Sequence, residues 1–437
     1  MPELYHQFSQ LLHQHYQPEH KIVIAFSGGI DSRVLLDLAH QYQRQHPVNI
    51  MAIYVHHGLS SNADEWAENC ARWAAQAGIA FKVEYVQLAS ASGESIEKLA
   101  REARYQALEK HLNQGDLLLT GQHADDQLET FLLALKRGSG PKGLSSMAES
   151  MPFAGGKVVR PLLKCSRAQI EAYAESRNLA WVEDESNQDT RFDRNFIRHQ
   201  VTPVLTERWP FYRQSVQRSA ELCAEQEALL NELLAEKFQS ALQSDGSLSI
   251  AVLADSSELA RVRLLRMWFE HHHQLMPSRE HSLMIWQQIA LAKQDANPQL
   301  NLQPVQIRRF NGALHMLVQW ADVSQWRSVF KLGETLNLPD SLGCLSLQDS
   351  GAQNHLRLPE GKATCFDVVF EPQGLSAHPV GRGHSRKLKK LFQEYDVPSW
   401  QRRRTPILLH QGRVVAVAGL FIDQAFAGHD CELLWSK

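Results

Sequence analysis

An apolar run, Ile22-Val23-Ile24-Ala25-Phe26, ends in Ser27-Gly28-Gly29-Ile30-Asp31-Ser32, and a helical pattern, Val34-Leu35-Leu36-Asp37-Leu38, follows at once. Strand, glycine turn and helix in that order predict a βα unit whose turn cradles phosphate. Two adjacent glycines let the backbone approach an anion, while Ser27, Ser32 and the first helix amides supply donors reinforced by the helix dipole. Two familiar cradles are excluded for this loop, because G-x-x-x-x-G-K-[ST] spacing occurs nowhere in the chain and the Ser27 turn is not G-x-G-x-x-G. A carboxylate beside phosphates needs a cation between them, so Asp31 is a candidate for organising Mg²⁺ or for holding the loop.

The alternation continues downstream. Strands are expected at Ile50 to Val55, Phe81 to Val86 and Asp116 to Thr120, with helices at Asp64 to Ala77 and Ser95 to Leu112. Continuous apolar strands separated by amphipathic helices predict an α/β domain with a doubly wound parallel sheet. Ligands of such sheets lie outside the carboxyl ends of the strands. That rule gathers three distant segments into one site: the Ser27 loop, the His56-His57-Gly58-Leu59 turn, and Gly121 to Thr130.

The last of these crowds Asp125, Asp126 and Glu129 at the mouth of a helix, beside Gln122 and His123. Such density is unfavourable without a cation. Asp126 and Glu129, three apart on one helical face, suit either Mg²⁺ or the ammonium of an amine substrate. For His56 and His57, turn stabilisation or stacking is as good a reading as chemistry. Glu97, Arg101 and Arg104 share one helix edge, where the arginines could hold phosphates or where Glu97 and Arg101 could form an ordinary surface pair.

Length predicts two or three domains for 437 residues. With 43% hydrophobic residues, 21% charged residues and a net charge of -3, the composition is that of a soluble globular protein, and any basic surface has to be local. No signal peptide or membrane-length apolar run is visible, and the six cysteines form no C-x-x-C pair. A reducing cytoplasm is the simplest home. Cys165 reads as a small buried hydrophobe.

Further motifs complete an ordered series: V-H-H-G-L, A-R-E-x-R-Y, H-x-D-D-Q-x-E-T, R-G-S-G-x-x-G-L at Arg137 to Leu144, R-P-L-L at Arg160 to Leu163, E-D-x-S-N, and R-N-x-x-R ending at Arg198. The S-G-G-x-D-S loop resembles that of the ATP pyrophosphatases, or PP-loop enzymes. The whole series resembles bacterial tRNA(Ile)-lysidine synthetases, tightly over about the first 215 residues and more loosely beyond.

The resemblance implies adenylation of the first anticodon cytidine of a minor isoleucine tRNA at its 2-carbonyl oxygen, with loss of pyrophosphate. Free lysine then attacks carbon 2 and expels AMP. ATP and Mg²⁺ are the implied cosubstrate and cofactor. Ser27, Gly28, Gly29, Ile30, Asp31, Ser32 and His57 are the expected ATP contacts, with Asp31 and Asp126 on the metal. Asp126 and Glu129, supported by Asp125, are expected to bind the lysine ammonium and take its proton. Arg101 or Arg104 would orient the lysine carboxylate or phosphates, and Asn195 and Arg198 would contact nucleotide or RNA. A homodimer stays open. The alternatives are another PP-loop tRNA-modifying enzyme or a non-catalytic nucleotide-sensing RNA-binding protein, which would have no use for the three clustered carboxylates.

Beyond the first domain (1–215), long amphipathic helices at Ser215 to Leu242 and Ser257 to His273 predict a mainly helical domain (216–325). Arg261, Arg263 and Arg266 read there as a solvated face or as phosphate contacts. His271-His272-His273 cannot chelate together, since consecutive helical residues diverge. A small mixed α+β domain (326–437) holds the local basic concentration: Arg386, Lys387, Lys389 and Lys390, then Arg402, Arg403 and Arg404. After a tRNA-modifying domain these are expected to meet RNA backbone, and the domain to read the acceptor stem.

Overall fold

Strand β1, Lys21–Ala25, sends Ile22 and Ile24 into one core and Val23 into another. A strand apolar on both faces has to lie inside a sheet covered by helices on both sides. The computed structural model, which describes residues 2–87, 96–293, 296–318, 320–348, 356–358 and 365–436, contains that sheet. With β2 at Asn49–His56, β3 at Ala80–Tyr85, β4 at Leu117–Leu119, β5 at Ser150–Phe153 and β6 at Gly156–Val159, the order is β3-β2-β1-β4-β6-β5. All pairings are parallel except that of β5 with β6.

The hairpin that adds β5 was not visible in the βα alternation. Its turn, Ala154-Gly155, has both φ angles positive, as tight hairpins require. The chain thus forms the expected parallel α/β domain with an antiparallel edge strand.

The helices of this part are α1 (Pro2–His15), α2 (Ile30–Gln45), α3 (Ala63–Gln76), α4 (Ile96–Glu109), α5 (Ala124–Lys136), α6 (Pro141–Leu144), α7 (Arg167–Ser176), α8 (Asp193–Phe196), α9 (Thr202–Arg208) and α10 (Tyr212–Ala241). Helices α1, α2, α3 and α7 build the larger core, and Leu108 of α4 enters the smaller one. Helix α4 falls on the predicted 95–112 helix; Ser95 and the side chain of Glu97 lie outside the described residues. The opening segment is core-forming, with Leu4, Phe8, Leu11 and Leu12 of α1 buried. Among the described residues no helix is long and apolar enough to cross a membrane.

Neighbours β2 and β4 flank β1 on opposite sides, so the direction of winding reverses between β1 and β4. In doubly wound sheets the ligand crevice lies at such a point, at the strands' carboxyl ends. At the opposite end, buried Asp116 accepts from Lys21 N at 3.0 Å and Asn113 N at 2.7 Å, which fixes the start of β4 beside β1.

The chain divides into two compact units, Met1–Glu232 and Leu233–Lys437. In the second, β7 (Leu248–Ser249), β8 (Gln299–Leu302), β9 (Val305–Phe310) and β10 (Ala313–Val318) form a sheet in the order β7-β10-β9-β8. Helices α11 (Ile250–Ala254) and α12 (Glu258–His271) share its core with Ile285, Ile289 and Ala290, which follow α13 (Arg279–Met284), and this gives the expected helical region. The accompanying sheet was less legible, because β8 lies in the polar stretch 297–304 and exposes alternate residues.

The α12 arginines do not form a solvated face. Arg261 donates to the Leu253 and Ser256 carbonyls and lies 3.8 Å over Trp286, Arg263 is buried, and Arg266 is half-buried. His272 contacts the Gly246 carbonyl at 2.8 Å, closing the helix end rather than binding a metal.

The remainder is strand-rich. A five-stranded sheet orders β11 (Arg327–Lys331), β14 (Cys365–Val369), β17 (Ile407–His410), β18 (Arg413–Val417) and β19 (Phe421–Ile422). A three-stranded sheet joins β12 (Thr335–Asn337), β13 (Cys344–Gln348) and β20 (Glu432–Ser436). The pair β15 (Ser376–Ala377) and β16 (Arg386–Lys387) precedes helix α14 (Leu388–Glu394), so the basic run is half strand and half short helix.

A methyl group on Gly156 would lie 2.1 Å from the carbonyl oxygen of Asp116. Gly156→Ala is therefore expected to destabilise the chain by about 1–3 kcal/mol, measured as a lower urea midpoint.

Candidate active site

The Ser27 loop leaves the carboxyl end of β1 and enters α2. Gly28 has φ +82°, and a Cβ there would meet Cys70 Sγ at 2.8 Å and Val182 Cγ2 at 2.9 Å, so conformation and space both require glycine. Its carbonyl accepts from Val182 N at 3.0 Å, which ties the loop to the E-D-x-S-N segment. Gly29 caps α2 without a side-chain bond, so no side chain competes for the helix's first amides. Ser32 Oγ donates to Gly29 O at 2.9 Å and lies 3.2 Å from Ser27 Oγ. Ile30 is buried, so only its backbone can serve a ligand.

From the carboxyl end of β4, Gly121 passes so close to α2 that a Cβ would sit 3.2 Å from the Asp31 carbonyl carbon. Two residues on, His123 caps α5. Its Nδ1 accepts from Asp125 N at 3.2 Å, while Asp126 accepts from His123 N at 3.0 Å, completing a capping box. With Nδ1 accepting, the neutral ring carries its proton on Nε2. That atom lies 3.6 Å from Asp31 Oδ1 and 3.5 Å from Asp126 Oδ2. The two sequence-predicted metal carboxylates therefore converge on one imidazole at the phosphate end of the crevice.

Burial raises the pKa of Asp31 above the usual carboxylate value, opposed by His123 and by Arg167, whose Nη1 is 3.1 Å away. Two carboxylates beside a phosphate loop suit Mg²⁺, which commonly takes one or two carboxylates and completes its shell with phosphate and water. Among the described residues no three His, Cys, Asp or Glu side chains are placed to hold a metal by themselves.

Glu129 is 1% exposed and already doubly engaged. Arg198 reaches its two oxygens at 2.6 and 3.0 Å and Asp126 Oδ1 at 3.1 Å, and Arg194 Nε lies 3.2 Å from Glu129. Burial pushes the Glu129 pKa up and Arg198 draws it down, with burial the larger influence. Asp125 points elsewhere: it accepts from Arg167 N at 2.9 Å and from Arg213 Nε, pinning the starts of α7 and α10. Asn195 donates to the Ser186 and Asp189 carbonyls at 2.9 and 3.0 Å, so it shapes the adjoining turn. Arg167, Arg194 and Arg213 were not singled out in the sequence, where only Arg194 carries a signal, as the first residue of R-N-x-x-R.

Across the crevice, the turn after β2 carries His57. Both its ring nitrogens and Gln122 Oε1 are buried without a hydrogen-bond partner in the protein. Burial, then Arg104 and His56, pushes the His57 pKa down to about 4. Arg104 has accessible surface yet is hemmed in by protein; its partial loss of hydration lowers its pKa, and Arg101 adds to the effect. Arg101 itself is exposed and leans over Tyr105 at 5.1 Å. Cys165 is buried, with its thiol pKa pushed up to about 11.

In the second unit most of the predicted RNA-facing arginines have internal partners. Arg386 pairs with Glu394, Arg403 with Glu371 at 3.0 Å and Arg404 with Asp340 at 2.7 Å, while Arg402 donates to the Val397 carbonyl at 2.9 Å. Lys387, Lys389 and Lys390 are exposed and make no such bond among the described residues.

Three family models match the chain: a PP-loop domain over residues 2–205, a TilS substrate binding domain over 248–315 and a TilS substrate C-terminal domain over 366–436. The chain is 60% identical over 437 residues to the tRNA(Ile)-lysidine synthase of Vibrio parahaemolyticus, covering 100% of both chains. It is 59% identical over 447 residues to that of Vibrio campbellii, again covering 100% of both. Against that of Photobacterium profundum the identity is 52% over 416 residues, 95% of each chain.

A base whose pKa falls on folding takes up protons more readily when unfolded. The His57 contribution to stability is thus complete above pH 6.5 and is lost as the pH falls from 6.5 towards about 4. That loss is at most about 3 kcal/mol. The His57 ring resonances, followed by NMR against pH, are expected to show a midpoint near 4; an ordinary imidazole midpoint would contradict the burial argument.

Proposed function

The chain belongs to the tRNA(Ile)-lysidine synthase family, and from that membership we propose how its own residues carry out the reaction. It is an enzyme of the ligase type that uses ATP to form lysidine on tRNA(Ile). The observation that carries the residue assignment is the meeting of Asp31 and Asp126 at His123, within 3.6 Å, where the winding of the sheet reverses.

In the first step the 2-carbonyl oxygen of the anticodon cytidine attacks the α-phosphorus of ATP, and the bond to the β-phosphate breaks. The amides of residues 28–32 and the Ser27 and Ser32 hydroxyls receive the departing pyrophosphate. Asp31 and Asp126 hold Mg²⁺, which when bound offsets the phosphate charge. His57, uncharged at neutral pH and unpaired, contacts the nucleotide.

In the second step the side-chain amine of free lysine attacks carbon 2. The carbon–oxygen bond breaks, AMP leaves with its electron pair, and the ammonium proton passes to a carboxylate. Asp126, the more accessible of the two candidates, binds the ammonium and takes the proton. Glu129 works through Arg198, whose guanidinium it locks beside Asp126. Arg104 or Arg101 meets the lysine carboxylate or a phosphate.

Residues 1–215 carry the chemistry in this reading, and 216–325 and 326–437 hold the tRNA. Asn195 acts through the turn it shapes, and Arg198 faces nucleotide or RNA. Lys387, Lys389 and Lys390 contact phosphates directly, as does Arg403 with the donors that Glu371 leaves free, and Arg386, Arg402 and Arg404 stand behind them. A homodimer is supported by the exposed Leu222, Leu229 and Leu230 of α10.

Purified protein incubated with ATP, Mg²⁺, lysine and unmodified tRNA(Ile) is expected to add the mass of a lysine residue to one cytidine, and no product should form without ATP. Asp126→Asn should lower kcat about 100-fold or more while tRNA binding by filter assay persists; unchanged turnover would remove Asp126 from the mechanism. Replacing Lys387, Lys389 and Lys390 by alanine should weaken tRNA binding and flatten its log–log salt dependence by about 2 to 3. An unaltered salt slope would place the phosphates elsewhere.

A further inference from the structure

Unit Leu233–Lys437 contains a cleft of about 420 Å³, of the size that takes a small molecule rather than a duplex. One side comes from the β8–β9 turn and Arg308 of β9, and another from Trp320 and Asp322 beyond β10. Trp400, Arg403 and Arg404 close it. The cleft thus joins the segment matching the substrate binding model, through residue 315, to that matching the C-terminal model, from residue 366.

Its chemistry is one-sided. Three guanidinium groups and two indoles face it against a single carboxylate, Asp322, which is occupied by Ser324 N at 2.9 Å. Arg404 lies 4.7 Å over the Trp320 ring, and Arg308 lies 5.8 Å from that of Trp400. Despite the stacked arginine, Trp320 remains 38% exposed. Arg403 meets Glu371 at 3.0 Å yet keeps 58% of its side chain accessible. A guanidinium has five donors, so one carboxylate partner leaves others for a phosphate oxygen.

An accessible indole beside a cation with spare donors matches a planar ring attached to a phosphate. A base inside a duplex presents no ring face, whereas an unpaired one does. We propose that this cleft holds one unpaired nucleotide of the RNA substrate, its base stacked on Trp320 and its phosphate on Arg403. The inference rests on the tRNA-modifying function above. Two sources share this chemistry, the single-stranded 3′ end of the tRNA and a base turned out of a loop.

The test compares full-length wild type, Trp320→Ala and Trp320→Phe on two tRNA(Ile) transcripts, one intact and one lacking the unpaired 3′ nucleotides. Trp320→Ala is expected to raise the KM for the intact transcript about tenfold or more. Trp320→Phe should restore most of it, and the KM for ATP should be the same in all three. If the 3′ end fills the cleft, truncation alone raises the wild-type KM and Trp320→Ala adds nothing further. If a loop base fills it, truncation is harmless and the Trp320→Ala effect persists on both transcripts. Either pattern supports the proposal. Equal KM values for wild type and Trp320→Ala overturn it while lysidine formation continues, which leaves the proposed function standing. A parallel rise in the ATP KM, or no rescue by phenylalanine, marks a structural role and also overturns it. A wild type that forms no lysidine overturns both readings.

Discussion

Carboxylate density where two helices begin is the constraint around which the first unit is organised. Asp31, Asp125, Asp126 and Glu129 gather at the carboxyl ends of β1 and β4, and Glu129 is 1% exposed. Such a cluster cannot remain ionised without nearby cations. The chain brings them from far along its length: Arg167 to Asp31, Arg194 and Arg198 to Glu129, and Arg213 to Asp125. The segments that follow the sheet are thereby tied to the site by charge. Removing one partner of a buried pair leaves the other uncompensated, a loss of about 3–5 kcal/mol, so the ion pairs specify geometry even where their net contribution to stability is small.

Close backbone approach makes the convergence geometrically possible. Gly121 lets the β4 exit lie against the first turn of α2, and without that approach His123 could not stand between Asp31 and Asp126. The capping box then does two things at once. It starts α5, and it fixes the imidazole so that its Nε2 proton faces both carboxylates. Helix initiation and site assembly are the same set of hydrogen bonds, which couples folding of α5 directly to the spacing of the two acids.

The sheet and its loops were legible because their signals are local. Apolar runs of strand length, paired glycines and amphipathic spacing appear within windows of about ten residues, and the end of the sheet to which the loops belong follows from chain direction, since each βα turn leaves the carboxyl end of a parallel strand. The partners of the acids were not legible, because Arg198 lies 69 residues from Glu129 and Arg213 lies 88 from Asp125. Nothing in the spacing announces such pairs. Asp125 and Glu129 share a motif with Asp126, yet their surroundings differ: one pins two helix starts, the other is enclosed by guanidinium groups. The same holds for the C-terminal arginines, whose carboxylate partners at Glu371 and Asp340 lie far from them in the chain. Strand β8 escaped notice for a different reason, since a four-residue strand with alternate polar residues looks like a linker.

These pairings separate two uses of positive charge. Arginine, planar and bidentate, serves where a carboxylate has to be held in a fixed direction, as Arg198 does with Glu129. Lys387, Lys389 and Lys390 carry strongly hydrated point charges on flexible stems and stay outside. A protein with a net charge of -3 can still bind a polyanion where exposed positive charge is locally concentrated, as it is at these three lysines. Net charge is thus a poor guide to the partner of this chain, and the distribution of unpaired cations is a better one. On that view Trp320 and Arg403 complement the lysines: the lysines supply affinity that follows salt, and an indole with a half-engaged guanidinium supplies a contact that depends on an unpaired base.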